Sequence, residues 1–311
     1  MNHLLATSGT HRILIADDEP DIQAVTRLSL KGLSRKCGAI EFHCASTGKE
    51  TLELMERHPD IGVILLDVVM ETDTAGLDAC RAIRERLNNP FVRILLRTGQ
   101  PGIAPEQQTI DTYDIDGYLA KTETSSSRLY TAVRCALKSH QELLALERHR
   151  TYLAAVHDCA VGLSADDSVE GMLQSVLRTV IEICPAQVVL LNLETFEHGQ
   201  GPRHLSLYLA PEERAGDGAM LAEAARARAR RAMRTARLDG PAQVEGGFYV
   251  PLSLHHELGH GFIFVDGFTP DELAKKTLSL LGSHAQNAIY SSLALLSARQ
   301  RKALIFEAAS I

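Results

Sequence analysis

Apolar residues in the first 120 positions fall into short continuous runs, and the segments between the runs have helical spacing. Such runs predict buried strands, and helices placed between them connect neighbouring strands of a parallel sheet. We therefore expect an α/β domain with a doubly wound, five-stranded parallel sheet. The predicted strands cover residues 12–17, 41–46, 63–67, 92–97 and 117–120.

Residues 129–163 contain no Pro, and their apolar positions recur mostly at intervals of three and four. This pattern predicts that the last helix of the first domain continues as a long linking helix, with a coiled-coil phase break near His140. One amphipathic helix packed on its own domain is the alternative, because Glu147 and Arg150 interrupt the apolar seam. The expected division is 1–140, a linker at 141–165, and 166–311.

The remainder of the chain has a different order of elements. After a first helix, strands are expected at 187–193 and 204–209, a helix at 219–238, and further strands around 243–254 and 259–266. The final helix should open at Thr269-Pro270, with Thr as the cap and Pro at the first position. Helix, antiparallel sheet and closing helix resemble the order of GAF and PAS sensory domains, which implies an α+β fold.

Both long helices, 129–163 and 270–309, carry apolar residues at coiled-coil-like spacing. Helices of this kind hold many dimers together, so we expect a homodimer. The apolar positions of the final helix are Leu278, Leu281, Ala285, Ile289, Leu293 and Leu296.

Composition narrows the class of partner. The 311 residues include 45% hydrophobic and 23% charged ones, as in ordinary globular proteins, and the net charge of −7 argues against a nucleic-acid binder. The six cysteines form no C-x-x-C pair, which is typical of reduced, core-filling thiols. With no secretory leader and no apolar run near the roughly 20 residues of a membrane span, a cytoplasmic protein without membrane partners is expected.

Polar residues that could carry chemistry stand where the predicted parallel strands end. Asp17 and Asp18 end the first strand, Asp67 the third, Thr98 the fourth and Lys121 the fifth. The carboxyl ends of parallel strands meet at one edge, so these groups should converge there. Three carboxylates repel one another unless a cation lies among them, and hard oxygen ligands suit Mg²⁺. Strand-end caps and a surface charge would explain each residue alone, but not all five together.

A carboxylate beside Mg²⁺ can attack a phosphoryl group, and Lys121 and the Thr98 hydroxyl are placed to meet the transferred oxygens. With Tyr118 three residues before the Lys, this constellation resembles the receiver domain of two-component response regulators over roughly residues 10–140. The resemblance implies a flavodoxin-like strand order. It also implies that Asp67 accepts a phosphoryl group from a histidine kinase or a phosphotransfer protein.

The same resemblance implies further roles. Mg²⁺ would be held by Asp17, Asp18, Asp67 and the main-chain carbonyl of Val69. Thr98 and Tyr118 would relay the phosphorylation state.

Three departures from the family pattern concern loops rather than chemistry. Glu71 stands where the family usually has Pro, the loop to Gly76 is one residue longer, and Thr122 replaces the Pro after the Lys. The segments VVMETDTAGL and LRTGQPGIAPE resemble one subgroup of receiver domains more closely than the family as a whole. In that subgroup a GAF-like domain of unknown function follows, often upstream of an HD-GYP, GGDEF or kinase module.

The segment LHHELGHG contains His256-Glu257-Leu258-Gly259-His260, which matches the H-E-x-x-H pattern of zinc proteases. That pattern holds zinc only on a helix. Because FYVPLSL before it and GFIFVDG after it both predict strands, the segment should be a hairpin tip with glycines in the turn. We therefore expect surface histidines and no protease, although such a tip can capture nickel during purification.

Two further features have plain structural interpretations. Cys159 and Cys184 are expected to be small buried side chains rather than chromophore anchors. Four arginines share one helical face, which could meet an acidic partner, a nucleotide phosphate or nucleic acid but more simply forms a solvated face opposite packed alanines. They are Arg226, Arg230, Arg234 and Arg237.

Two functions are compatible with these patterns. The first is a phospho-regulated response regulator that is not itself an enzyme and acts through a dimer or a downstream effector protein. The second is the regulatory part of a larger cyclic-di-GMP-turnover enzyme or kinase whose catalytic module is absent from these residues. No HD plus GYP pair, GGDEF or EAL motif is present in the 311 residues.

Overall fold

The computed structural model describes residues 10–99, 113–121, 125–165, 168–196, 203–235, 240–254 and 259–308. The chain divides into two compact units, Met1–Arg148 and His149–Ile311. The treatment of residues 141–165 as a linker separate from both units stays a prediction.

The first unit contains a five-stranded sheet with helices between the strands. Its strands are β1 (Thr10–Ala16), β2 (Ala39–Ala45), β3 (Ile61–Asp67), β4 (Arg93–Thr98) and β5 (Gly117–Ala120). Its helices are α1 (Pro20–Leu30), α2 (Ser34–Cys37), α3 (Gly48–Arg57), α4 (Ala75–Arg81) and the start of α5 (Ser126–Ala165), with a 3-10 turn at Lys31–Leu33 and a π-turn at Ala82–Arg86. All neighbours are parallel in the order β2-β1-β3-β4-β5, so the predicted flavodoxin-like α/β fold is confirmed.

Successive side chains along each strand point to opposite faces of the sheet, so they pack in two different apolar cores. All seven residues of β3 are buried, because helices cover the sheet on both sides. On one side Ile64 packs with Met55 of α3 and with Ile83 of the π-turn that follows α4. On the other side Val63 packs with Leu129 and other residues of α5. The carboxyl ends of the strands are thereby held at fixed relative positions.

Helix α5 is continuous from Ser126 to Ala165, through the expected phase break at His140. His140 itself is buried in the first unit, and its Nδ1 lies 2.9 Å from the carbonyl oxygen of Phe91. Farther along α5, the side chains of Leu146 and Leu153 are exposed. Helix α5 is therefore unbroken at His140, but its buried face before this residue does not continue unchanged after it.

The second unit is an α+β domain with an antiparallel sheet, as predicted. Its helices are α6 (Val169–Ile183), α7 (Gly218–Thr235) and α8 (Glu272–Ala308), with a 3-10 turn at Glu212–Asp217. Its strands are β6 (Val188–Thr195), β7 (Arg203–Leu209), β8 (Ala242–Val244), β9 (Gly247–Leu254) and β10 (Gly259–Asp266), in the order β7-β6-β10-β9-β8. The strand predicted around 243–254 is in fact two, because Gly246 adopts φ +82° and closes a two-residue hairpin turn.

Two expectations about the final helix are wrong. Helix α8 begins at Glu272, and the Asp271 carboxylate accepts a 2.8 Å hydrogen bond from the Ala274 amide, so Asp271 and not Thr269 caps it. Four of the proposed dimer positions are fully buried in the core of their own unit and cannot contact a second copy: Leu278, Leu281, Ala285 and Ile289. The side chains of Leu293 and Leu296 lie outside the described residues.

Alanines of α7 pack against one face of the antiparallel sheet, as expected; they are Ala222, Ala225 and Ala229. Arg230 is exposed, while the Arg226 guanidinium lies over the Tyr208 ring at 5.9 Å and pairs with Glu223. Arg234 and Arg237 lie outside the residues whose side chains are described. Cys159 and Cys184 are buried in the apolar core, which confirms the predicted filling role.

Strands β9 and β10 form the predicted antiparallel hairpin around HHEL, with Leu254 opposite Gly259. Residues 255–258, including His256 and Glu257, lie outside the described residues. Gly259 and Gly261 belong to β10 rather than to the turn. A Cβ on them would lie 2.1 and 2.3 Å from carbonyl oxygens of β6, so these glycines allow close approach of the two strands. In the described part of the chain, no helix is long and apolar enough to cross a membrane.

Candidate functional site

Three carboxylates converge at the carboxyl edge of the parallel sheet, as predicted. Asp17 and Asp18 follow β1, and Asp67 is the last residue of β3. One oxygen from each lies within 4.8 Å of the others. Asp17 and Asp67 are buried, whereas Asp18 is exposed and leaves the cluster open to solvent.

Lys121 places its ammonium among these carboxylates. Its Nζ lies 2.6 Å from Oδ2 of Asp67, 2.9 Å from Oδ2 of Asp17 and 3.5 Å from Oε1 of Glu19. The Lys121 amide donates a 2.8 Å hydrogen bond to the Thr98 carbonyl, which fixes the end of β5 beside β4. Burial lowers the pKa of Lys121, but its hydrogen bonds to Asp67 and Asp17 outweigh burial and leave that pKa raised. The side chain therefore stays protonated and compensates the acidic charge.

Opposing influences act on the pKa of the Asp67 carboxyl, and their net effect raises it. Burial raises the pKa of the Asp67 carboxyl, and the nearby charge of Asp17 raises it further. Hydrogen bonds from Lys121 and from the Val69 amide oppose this effect but do not cancel it. An additional cation beside Asp67 would favour the ionised, nucleophilic form. The structure places Val69 beside the carboxylate through its amide; metal binding by its carbonyl stays a prediction.

The turn after β1 fixes the position of Asp17. The Glu19 amide donates to its Oδ1 at 3.1 Å, and the Asp17 amide donates to the Ala45 carbonyl at 3.0 Å. The Gln23 side chain, from α1, donates to the carbonyls of Asp17 and Ala45 at 2.7 and 3.1 Å. Gln23 thus clamps the turn that carries the acidic pair, a role that its helical position did not reveal.

The expected relay residues lie at the ends of the neighbouring strands. Thr98 is buried at the end of β4, and Tyr118 is half-buried in β5, where it packs against the apolar core. Their relay roles stay predictions. The loop after Gly99, and Thr122 after the Lys, lie outside the described residues.

Gly76 is required by close packing behind Asp67. A Cβ at Gly76 would lie 1.9 Å from the Asp67 carbonyl oxygen, and the Gly76 amide donates to the Val68 carbonyl at 3.0 Å. Any side chain there would push α4 away from the end of β3 or displace Asp67. The longer loop before Gly76 therefore still returns to a fixed point beside the site.

Arg97 is a buried cation next to the acidic cluster, and it was not among the residues predicted for the site. It lies opposite Asp67 in the β3–β4 register, is 9% exposed, and donates a 2.6 Å hydrogen bond from Nη1 to the Thr26 hydroxyl. Burial lowers the pKa of Arg97, while the charges of Asp17 and Asp67 oppose that shift. A charged residue inside the apolar run RILLRT was the signal that could have identified it.

This donor set fits Mg²⁺. All three side chains offer hard carboxylate oxygens, they are close enough to share one ion, and exposed Asp18 leaves room for water or a phosphate oxygen. The ion would lower the charge repulsion between Asp17 and Asp67 and stabilise charge on a phosphoryl group.

A buried aspartate with two further carboxylates and a lysine beside it, at the carboxyl edge of a doubly wound parallel sheet, is the arrangement expected of a phosphoacceptor α/β domain. Residues 13–134 match the family model of the response regulator receiver domain. This part of the chain is therefore a response regulator receiver domain of the two-component type.

The match to one curated relative is longer than the receiver domain. A 3'3'-cGAMP-specific phosphodiesterase 2 from Vibrio cholerae serotype O1 is 35% identical over 171 residues, which are 55% of this chain and 33% of the relative. The chain thus matches about a third of the length of that enzyme.

Solved receiver structures also resemble this chain. A receiver domain protein from Clostridium thermocellum is 22% identical with a TM-score of 0.37, covering 43% of this chain and 98% of its own. The signal receiver domain of an HD domain-containing protein from Pseudomonas fluorescens Pf-5 is 20% identical with a TM-score of 0.38, covering 44% and 93%.

Proposed function

We propose that the chain is a response regulator in which Asp67 accepts a phosphoryl group from a histidine kinase or phosphotransfer protein. The observation that carries this proposal is the position of the Lys121 ammonium between Asp67 and Asp17, with Asp18 close by and open to solvent. A merely structural lysine would need one carboxylate partner. This arrangement instead keeps a nucleophile, a cation site and a fixed positive charge together.

In the proposed reaction, a carboxylate oxygen of Asp67 attacks the phosphorus atom and forms an acyl phosphate, while the bond to the donor nitrogen breaks. Asp17, Asp18 and Asp67 would hold Mg²⁺, which neutralises phosphoryl oxygens. Lys121 would remain bound to one of those oxygens after transfer. The hydroxyl of Thr98 would meet another, and this movement would draw Tyr118 inward.

The proposed route to the second unit is α5, which belongs to the first core at Leu129 and to the second core at Leu163. A change in the packing of α5 is the physical means by which phosphorylation would alter the GAF-like unit or a dimer. Its exposed apolar residues Leu146, Leu153 and Val161 recur at intervals of seven and eight, which favours contact between two copies of this helix.

A second candidate function is regulation of a phosphodiesterase module. The phosphodiesterase from Vibrio cholerae is specific for 3'3'-cGAMP, and this chain matches about a third of its length. In this second proposal, the 311 residues are the regulatory part of such an enzyme. Incubation of the purified chain with 3'3'-cGAMP tests whether the 311 residues contain a phosphodiesterase site of their own. We expect no hydrolysis by the 311 residues alone; turnover that survives further purification would show a catalytic site within them.

The phosphoacceptor proposal is tested by labelling with acetyl phosphate and Mg²⁺, followed by phosphate-affinity gels. The wild-type chain should take up label, and Asp67→Asn should take up none. Asp73→Asn is the matched control, because Asp73 is an exposed carboxylate in the loop after β3. Label on the Asp67→Asn variant, or its loss from the Asp73→Asn variant alone, would contradict the assignment.

A further inference from the structure

Three metal-ligating side chains form a row across the antiparallel sheet of the second unit. Glu194 lies on β6, His204 on β7 and His260 on β10. In both pairings, Glu194 is directly opposite a histidine. Residues directly opposite in adjacent strands carry their side chains on the same face, so the two imidazoles flank one carboxylate.

One nitrogen of each imidazole lies near the same carboxylate oxygen. Nδ1 of His204 lies 3.7 Å and Nε2 of His260 lies 3.6 Å from Oε2 of Glu194. These distances exceed the range of about 2.7–3.2 Å for hydrogen bonds between nitrogen and oxygen. They are close to the roughly 3.3–3.6 Å that separates two ligand atoms bound to one tetrahedral zinc ion. The spacing is thus wide for a direct bond and near that of a shared ion.

We propose that His204, Glu194 and His260 bind one divalent cation of zinc's class. Two imidazole nitrogens and one carboxylate oxygen are the ligand types that such ions prefer over Mg²⁺. The side chains of His204 and His260 are 67% and 59% exposed, so a fourth position faces solvent and remains free for water or an incoming ligand. Only one of the three proposed ligands, His260, belongs to the H-E-x-x-H segment at residues 256–260.

Metal binding requires a small rearrangement. Among the described residues, the acidic cluster of the receiver is the one group of three whose ligand atoms all lie within 4.8 Å of one another. The imidazoles of His204 and His260 must therefore turn toward each other above Glu194. Exposed side chains rotate readily, whereas the strands that carry them are fixed by the ladder of β6 with β7 and β10.

The test is a calorimetric titration of the full chain, without an affinity tag, with Zn²⁺. Excess Mg²⁺ occupies the receiver pocket, and a reductant that does not bind metal keeps the thiols reduced. Wild type should bind one equivalent. Replacing one ligand, in Glu194→Gln, His204→Gln or His260→Gln, should weaken binding by at least the roughly 10–100-fold loss caused by removing an outer-shell partner. His157→Gln, which changes an exposed histidine of α5, should bind as wild type.

Thermal unfolding supplies a second readout, since a ligand that binds the native state raises Tm. Zinc should raise the Tm of wild type and of His157→Gln but not that of Glu194→Gln, whose circular dichroism should match wild type without metal. The proposal is overturned if wild type binds no zinc, or if the three row variants bind it unchanged. It is also overturned if binding is lost only when His255 and His256 of the hairpin tip are replaced.

Discussion

The amide of Gly48 donates to both carboxylate oxygens of Glu71, at 2.9 and 3.0 Å. Gly48 is the first residue of α3, so an anion from the loop after β3 sits at the positive end of a helix. This contact explains one departure from the family pattern, because a Pro at position 71 could not accept that hydrogen bond. The loop beside Asp67 is thereby attached to α3 by a charged group.

Replacing Glu71 with Ala should loosen this loop. We expect a loss of about 1 kcal/mol in the free energy of unfolding, the usual size for one hydrogen bond at a helix end, together with slower phosphorylation by acetyl phosphate. Glu71→Gln keeps a hydrogen-bond acceptor, so its stability and its phosphorylation rate should lie between those of wild type and Glu71→Ala. Urea unfolding and labelling rates measure both effects, with Glu53→Ala as a control on the exposed surface of α3. Equal rates for all four proteins would exclude a role for the loop anchor.

Gly76→Ala should be far more damaging than its small size suggests. The added methyl group would lie 1.9 Å from the Asp67 carbonyl oxygen, so the backbone of β3 or α4 must shift. We expect a destabilisation of at least about 1–3 kcal/mol, as for overpacked cores, and loss of most phosphoryl uptake. Gly32→Ala is the matched control, because its Cβ would meet Tyr130 at an ordinary 3.7 Å. Similar stability of both variants would show that α4 does not approach the end of β3 this closely in solution.

Much of this site could be predicted from the sequence because parallel strands end at one edge. Apolar runs predict where β1, β3, β4 and β5 lie, and the polar residue that ends each run then belongs to one cluster. Errors at strand ends of one or two residues do not change that result. Glu71 and Gly76 escape such reasoning, since their partners, Gly48 and Asp67, are fixed by tertiary packing.

Periodicity also has a definite limit in the second unit. The spacing of Leu278 and Ile289 predicts one apolar face of α8, but it cannot tell whether that face meets a partner or the helix's own domain. The structure assigns it to the core. The row of His204, Glu194 and His260 depends on strand register across residues far apart in sequence, which no local pattern reveals.

The stability of the first unit should depend on the protonation of His140. Burial lowers the pKa of His140 below its ordinary value of 6.5, opposed by the hydrogen bond to the Phe91 carbonyl. The unfolded chain therefore binds a proton at higher pH than the native chain, and stability falls as pH drops below 6.5 toward the lowered pKa. Above that window both states are neutral and this dependence vanishes.

Urea unfolding of wild type and His140→Asn between mildly acidic and neutral pH measures this dependence. The asparagine can still donate to Phe91 but does not titrate, so the variant should lose less stability on acidification than wild type. His157→Asn, at an exposed histidine of α5, is the control. Parallel curves for wild type and His140→Asn would contradict the assignment of the acid sensitivity to His140.

Arg228 and Asp266 form an ion pair that anchors α7 to β10. Nε and Nη2 of Arg228 each donate a 2.7 Å hydrogen bond to the carboxylate of Asp266, which is 1% exposed. Arg228→Met leaves that buried carboxylate uncompensated. Because Arg228 is partly exposed, we expect about 2–3 kcal/mol of destabilisation, less than the roughly 3–5 kcal/mol for fully buried pairs. Chemical unfolding of Arg230→Met, which changes an exposed arginine of the same helix, should differ little from wild type.

Helix α5 should join two copies of the chain through its exposed apolar residues. Leu146, Leu153 and Val161 are 66%, 68% and 55% exposed, and their spacing of seven and eight residues would let a second copy of the helix cover all three. Four of the proposed α8 positions are buried in their own core, so we place the proposed contact on the exposed residues of α5. Leu146→Glu with Leu153→Glu should therefore produce monomers without unfolding, while Leu280→Glu on α8 should not.

Light scattering at micromolar concentrations measures the mass of each variant, and small-angle scattering with beryllofluoride, a phosphoryl mimic, measures the response to occupation of the Asp67 site. Since α5 begins in the receiver core and carries the exposed leucines, repacking near Asp67 should change how the two copies are arranged, and the scattering curves should differ. Wild type that is monomeric both with and without beryllofluoride, with superimposable curves, would exclude this readout. The receiver would then act as a docking surface for a separate effector protein.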